Sequence, residues 1–126
     1  MSLAAIQTKA KAKPSIVIIY GPSGLGKTTL AVGSKKPIVL QTEEGLGILT
    51  NNREIPHFPL AKDYDTFYGY LKSLVDADEL DYSTLVVDSL DWLEPLIFAK
   101  TCEVHKQASI ESFGYGRGYV EALKYW

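Results

Sequence analysis

Cysteine and histidine are scarce in this chain, and long apolar runs are missing. Of 126 residues only Cys102 carries a thiol, which excludes an internal disulfide and favours a reducing compartment. Only His105 of the two histidines lies near Cys102, so the sequence offers too few ligands for a zinc site. No apolar run is long enough to cross a bilayer, and residues 1–13 lack the apolar segment of a signal peptide. The sequence therefore predicts no membrane partner.

Positive charge is not in excess either. The formal net charge is −2, whereas a domain that binds nucleic acid over its whole surface is usually basic. Arg53 and Arg117 are the only arginines, which disfavours a kinase with an arginine-rich lid. Lysines at positions 9, 11 and 13 make residues 1–13 a flexible basic arm, or residues foreign to the natural chain. Residues 14–126 are expected to form one domain.

One motif carries most of the chemical information. Residues 21–28 fit the phosphate-binding pattern G-x-x-x-x-G-K-[ST]. The glycines let backbone N–H groups surround a polyphosphate, and the helix that follows points its positive end at the same anion. The pattern predicts ATP and Mg²⁺ as ligands, with Lys27 at the β- and γ-phosphates and the Thr28 hydroxyl on the metal. The predicted nucleotide-binding residues are Gly21, Pro22, Ser23, Gly24, Leu25, Gly26, Lys27, Thr28 and Thr29.

Apolar periodicity predicts an α/β fold of strands alternating with helices. Strands are expected over residues 15–20, 38–41 and 84–88, with a short further strand near 55–60. Helices are expected over residues 27–33, 65–77 and 89–106, and another begins at Tyr119. In the long helix, the inward positions are predicted to be Leu90, Leu93, Ile97 and Val104.

A carboxylate is needed to hold the magnesium beside the phosphate loop. The apolar run Leu85-Val86-Val87 delivers Asp88 at its carboxyl end, where open α/β sheets bind their ligands. The next residue is Ser89, so a group that orients or deprotonates water must come from elsewhere. Glu43 and Glu44, which follow the second strand, are both candidates for it.

Together, the phosphate loop, the segment Leu40-Gln41-Thr42-Glu43 and the Asp88-Ser89 pair resemble the RecA-like P-loop ATPases. More narrowly, residues 14–126 look like phage and prophage AAA-type ATP-binding proteins, which include single-strand annealing ATPases. The resemblance implies a parallel sheet flanked by helices and a catalytic role for Glu43, together with Lys27, rather than Glu44. It also implies ATP hydrolysis during DNA recombination or replication on single-stranded DNA, homo-oligomers, and the cytoplasm of a bacterial host.

One departure from the family concerns the end of the chain. A RecA-like core continues past the helix at Tyr119 with a further central strand whose end reads the γ-phosphate. We therefore expect a core incomplete at its C-terminal end, the amino-terminal portion of a longer protein whose remainder contacts DNA. Two alternatives stay open on the residues alone: a nucleotide or small-molecule kinase, and an interaction module that binds ATP without hydrolysing it.

Overall fold

The computed structural model describes residues 4, 6, 10, 12–48 and 54–126, so Lys9 and Lys11 of the basic arm lie outside the described residues. In chain order, the helices and strands are α1 (Lys27–Val32), β1 (Pro37–Gln41), α2 (Tyr64–Val75), β2 (Thr84–Asp88), α3 (Leu90–His105) and α4 (Arg117–Ala122). The predicted helices at 27–33, 65–77 and 89–106 and strands at 38–41 and 84–88 are confirmed to within two residues at each end. No helix in the described part of the chain is long and apolar enough to cross a membrane.

Strand β1 has hydrogen-bonded neighbours on both of its edges. It pairs in parallel with β2, in a register that places Gln41 opposite Asp88. On its other edge the Val39 N–H donates to the Pro56 carbonyl oxygen at 3.0 Å, and the Phe58 N–H donates to that of Val39 at 2.9 Å. The strand predicted near 55–60 is thus reduced to a single parallel bridge. All five residues of β1 are buried, as expected for an apolar run inside a parallel sheet.

Alternating side chains of the two strands point into separate apolar clusters. On one face Val39 and Val86 pack with Val32 of α1. On the other face Leu40 packs with residues of α2, α3, α4 and the loop before α2, and the other buried members of this cluster are Ala61, Phe67, Leu93, Ile97 and Ala122. Helices therefore cover both faces of a small parallel sheet, which is the mixed α/β arrangement that the sequence predicts.

The strand predicted over residues 15–20 is wrong for this structure. These residues form no strand, and Ile16, Val17 and Ile18 are 94%, 76% and 70% exposed. An apolar, β-branched run favours a pleated strand, but the strand forms only where a neighbour supplies hydrogen bonds. Within the described residues β2 is paired with β1 alone, and nothing pairs with the run.

Helix α3 begins directly after β2, close to Asp88. Ser89 is its N-cap, and Pro95 lies inside the helix as its sixth residue, where the missing N–H removes one helical hydrogen bond. Leu93 and Ile97 are buried as predicted, whereas Leu90 and Val104 are 41% and 52% exposed, so their inward placement is wrong. The helix rises about 24 Å and the strands beneath it about 16 Å, so its ends extend beyond the core.

Candidate nucleotide-binding site

The loop that precedes α1 requires glycine for its backbone conformation. Gly24 and Gly26 adopt φ values of +82° and +88°, in the left-handed region that other residues rarely enter. Gly26 is also the N-cap of α1. A Cβ on Gly24 would meet nothing within 4 Å, so conformation and not crowding demands the glycine in the free protein.

The rest of the loop lies at the surface, where a ligand can reach it. Every residue from position 21 to 26 is exposed, and so is Thr29. The predicted binding residues Pro22, Ser23 and Leu25 are among them, and Leu25 is 71% exposed. This stretch can present backbone N–H groups to an anion with little rearrangement of packed side chains.

The side chain of Lys27 folds back onto the glycine-containing loop that precedes α1. Its Nζ donates to the carbonyl oxygens of Gly21 and Pro22, at 2.7 Å in each case. These contacts hold the ammonium group beside the backbone that a polyphosphate would approach. A phosphate bound by the loop would compete with the two carbonyl oxygens for the lysine.

Thr28 and Asp88 meet although 60 positions separate them in the sequence. The Thr28 hydroxyl donates to Asp88 Oδ2 at 2.8 Å, in a partly buried position. Helix α1 supplies the hydroxyl from its second residue, and β2 supplies the carboxylate from its last. Hydroxyl and carboxylate oxygens are ligands of the type that Mg²⁺ prefers, so the structure brings together the two predicted metal-binding residues.

The turn after β1 folds over Asp88. Because Gln41 pairs with Asp88, the residues that follow Gln41 leave the sheet at the edge that carries the carboxylate. A Cβ on Gly45 would lie 4.0 Å from Asp88 Oδ2, which places the turn in contact with it. Glu43 is half-buried in this turn, whereas Glu44 is exposed.

The two glutamates differ in their surroundings. Glu44 lines a cleft of about 410 Å³ together with Gln41, Gly45 and His57. Glu43 does not line this cleft. Gly45, which contacts Asp88 Oδ2, also lines this cleft, so the choice of Glu43 over Glu44 stays a prediction.

Thr42, at this edge of the sheet, was not predicted from the sequence to be a functional residue. The Thr42 hydroxyl donates to the Ser89 carbonyl oxygen at 2.6 Å and accepts from the Ser89 N–H at 2.9 Å. The peptide bond between Asp88 and Ser89 is cis. A threonine after a buried strand is common, and no sequence pattern marks this one as special.

A sequence model of the AAA domain family matches residues 13–126, which is nearly the whole chain. The chain belongs to this family. AAA domains are P-loop ATPases that generally bind ATP with Mg²⁺. The residues of this AAA domain fit that ligand. Glycines in the left-handed backbone conformation, the Lys27 ammonium group and the hydrogen-bonded pair of Thr28 and Asp88 lie at one edge of the sheet.

A relative has been described only by its origin. The AAA domain is 28% identical over 103 residues to the SPβ prophage-derived uncharacterized protein YorG of Bacillus subtilis strain 168. The matched region covers 82% of this chain and 32% of the relative, so the chain spans about a third of that protein's length. No solved structure matches the chain.

Proposed function

We propose that this AAA domain binds ATP with Mg²⁺ and hydrolyses it as a RecA-like ATPase of phage or prophage origin. The hydrogen bond between Thr28 and Asp88 is the observation that carries the proposal. It links the phosphate loop to the carboxyl end of β2 through two oxygen ligands, which a glycine turn without a nucleotide function would not require. Glu43 is half-buried in the turn after β1, at the sheet edge that carries Asp88, and this position supports the proposal of hydrolysis over binding alone.

The proposed roles follow from the chemistry of each group. Backbone N–H groups of residues 21–28 would bind the phosphates, and the Lys27 ammonium would neutralise the β- and γ-phosphate oxygens. Thr28 and Asp88 would hold Mg²⁺, which supplies charge neutralisation at the phosphate oxygens when bound. Glu43 would accept a hydrogen bond from the attacking water and orient it, as phosphoryl transfer requires.

The biological setting rests on the resemblance and on the prophage origin of the relative. A RecA-like ATPase of this origin would act on single-stranded DNA during recombination or replication, in the cytoplasm of the bacterial host, and as a homo-oligomer. The net charge of −2 argues against a DNA surface over this whole domain. Contacts with single-stranded DNA are therefore proposed for a limited part of the protein surface.

Three variants test the chemistry. Lys27→Ala is expected to lose binding of a slowly hydrolysed ATP analogue, because no other cation of the loop replaces the ammonium. Glu43→Gln keeps shape and volume and is expected to bind the analogue normally, while hydrolysis falls by about 10²- to 10⁴-fold. Glu44→Gln is the matched control, and its turnover should stay near that of the natural sequence.

Binding is measured by titration with the analogue, and turnover by phosphate release. Unchanged turnover in Glu43→Gln would overturn the assignment of the base. Tight Mg²⁺-dependent binding by the natural sequence with no phosphate release would instead favour an ATP-binding interaction module.

A further inference from the structure

Thr42 is the first residue after β1, and its backbone extends the strand pairing. Its N–H donates to the Asp88 carbonyl oxygen at 2.9 Å. The residue is only 7% exposed, so its polar groups need partners inside the protein. The backbone bond accounts for the N–H but leaves the hydroxyl to be explained.

The Thr42 hydroxyl group forms two hydrogen bonds, and both are with Ser89. It donates to the Ser89 carbonyl oxygen at 2.6 Å and accepts from the Ser89 N–H at 2.9 Å. The same carbonyl oxygen accepts from the Leu93 N–H at 3.1 Å, the first turn of α3. One side chain therefore joins the end of β1, the end of β2 and the start of α3.

Glu43 and Asp88, two carboxylates with different proposed roles, are adjacent in the chain to the residues that this side chain joins. Thr42 is covalently followed by Glu43, and its hydrogen bonds reach Asp88 and Ser89. Hydrolysis needs Glu43 and Asp88 to face the same phosphate, so their relative placement has to be fixed. Strand pairing sets the register of β1 against β2, and the hydroxyl adds two bonds beyond the last paired residue.

We propose that Thr42 is a positioning residue of the ATPase site, which holds the Glu43 turn against the Asp88-Ser89 unit. This inference rests on the proposed function, because positioning is defined by the reaction it serves. Thr42 contributes no group to the phosphates or to the metal. It acts through Glu43 and Asp88.

Two substitutions of Thr42 test the role of its hydroxyl group separately from that of its methyl group. Thr42→Val keeps the branched shape and removes both hydroxyl bonds, whereas Thr42→Ser keeps the hydroxyl. We expect Thr42→Val to lower kcat by about 10- to 100-fold, the scale of an ångström-sized misplacement. Its affinity for the ATP analogue should change by less than about threefold, since the phosphate loop is untouched. Thr42→Ser should restore most of kcat.

A double variant identifies the residue through which Thr42 acts. In the Glu43→Gln protein, adding Thr42→Val should reduce kcat little further, because the group being positioned has already lost its function. Natural turnover in Thr42→Val would overturn the proposal. Equal losses in the valine and serine variants would do the same, because packing would then explain both. A parallel loss of analogue binding would indicate a general structural role and would also overturn it.

Failure of the ATPase proposal would look different. If the natural protein releases no phosphate, the positioning role in hydrolysis fails with the proposed function. The hydroxyl contact is then judged by amide hydrogen exchange at Ser89, which should become faster in Thr42→Val and stay slow in Thr42→Ser. Equal exchange in all three proteins would overturn the contact itself.

Discussion

Replacing Gly118 by alanine should destabilise the protein, although alanine is the better helix former. A Cβ on Gly118 would lie 2.2 Å from the Ile110 carbonyl oxygen and 2.9 Å from Phe113 Cδ2. The closest atom belongs to the backbone and cannot rotate away, so α4 would have to move outward. That movement would withdraw Ala122 from the core that it shares with Ile97.

The magnitude follows from two opposing effects. Overpacking of this kind costs about 1–3 kcal/mol, and the better helix propensity of alanine returns up to about 1 kcal/mol. At the middle of the overpacking range, about 2 kcal/mol, the net loss is about 1–2 kcal/mol. For a chain of 126 residues this lowers Tm by about 4–8 °C, which a thermal unfolding scan resolves easily.

The same substitution elsewhere supplies the control. Gly69 lies inside α2 and is exposed, and a Cβ there would meet nothing within 4 Å. Gly69→Ala should therefore stabilise the protein by up to about 1 kcal/mol. If Gly118→Ala also raised Tm, the close packing of α4 on residues 110–113 would be refuted.

Three further predictions concern the core, a helix cap and the metal pair. Ile97→Ala should cost about 2–5 kcal/mol in denaturant unfolding, because Ile97 is fully buried, while Ile97→Val should cost about 0.5–1.5 kcal/mol. The backbone N–H of Thr66 lowers the pKa of Asp63 below its ordinary value of 3.8, so this cap stabilises α2 above that pH and weakens as the pH falls through the lowered pKa. Asp63→Asn should remove that part of the acid dependence in thermal scans, and an unchanged acid profile would contradict the assignment. Thr28→Val and Asp88→Asn should each weaken the Mg²⁺ dependence of ATP-analogue binding, and titrations with and without Mg²⁺ that match those of the natural sequence would contradict the proposed metal site.

Much of the fold could be predicted from local patterns in the sequence. The runs that form β1 and β2 are short, apolar and bounded by polar or proline residues, so their positions could be predicted closely. Parallel strands present their carboxyl ends at one edge, which is why residues as distant as Thr28 and Asp88 could be expected to meet. The helices followed from caps and apolar spacing, as Asp63 before α2 illustrates.

The failures share a physical cause, which is dependence on partners that a linear pattern does not specify. Residues 15–20 have the composition of a strand, but composition does not determine which strand they pair with. Leu90 and Val104 lie at helical spacing from Ile97, yet α3 is longer than the sheet that it covers. The two bonds of the Thr42 hydroxyl arise from tertiary geometry alone.

Within the described residues one edge of β2 is unpaired, and this has a consequence for handling the protein. Among the described residues only β1 pairs with this strand, and Leu85 within it is 44% exposed. The exposed run at residues 16–19 adds a segment with apolar, β-branched side chains, of the kind that forms sheets between molecules. Concentrated solutions of this polypeptide should therefore form intermolecular sheet, and a charged residue such as lysine in place of Leu85 should keep it dispersed.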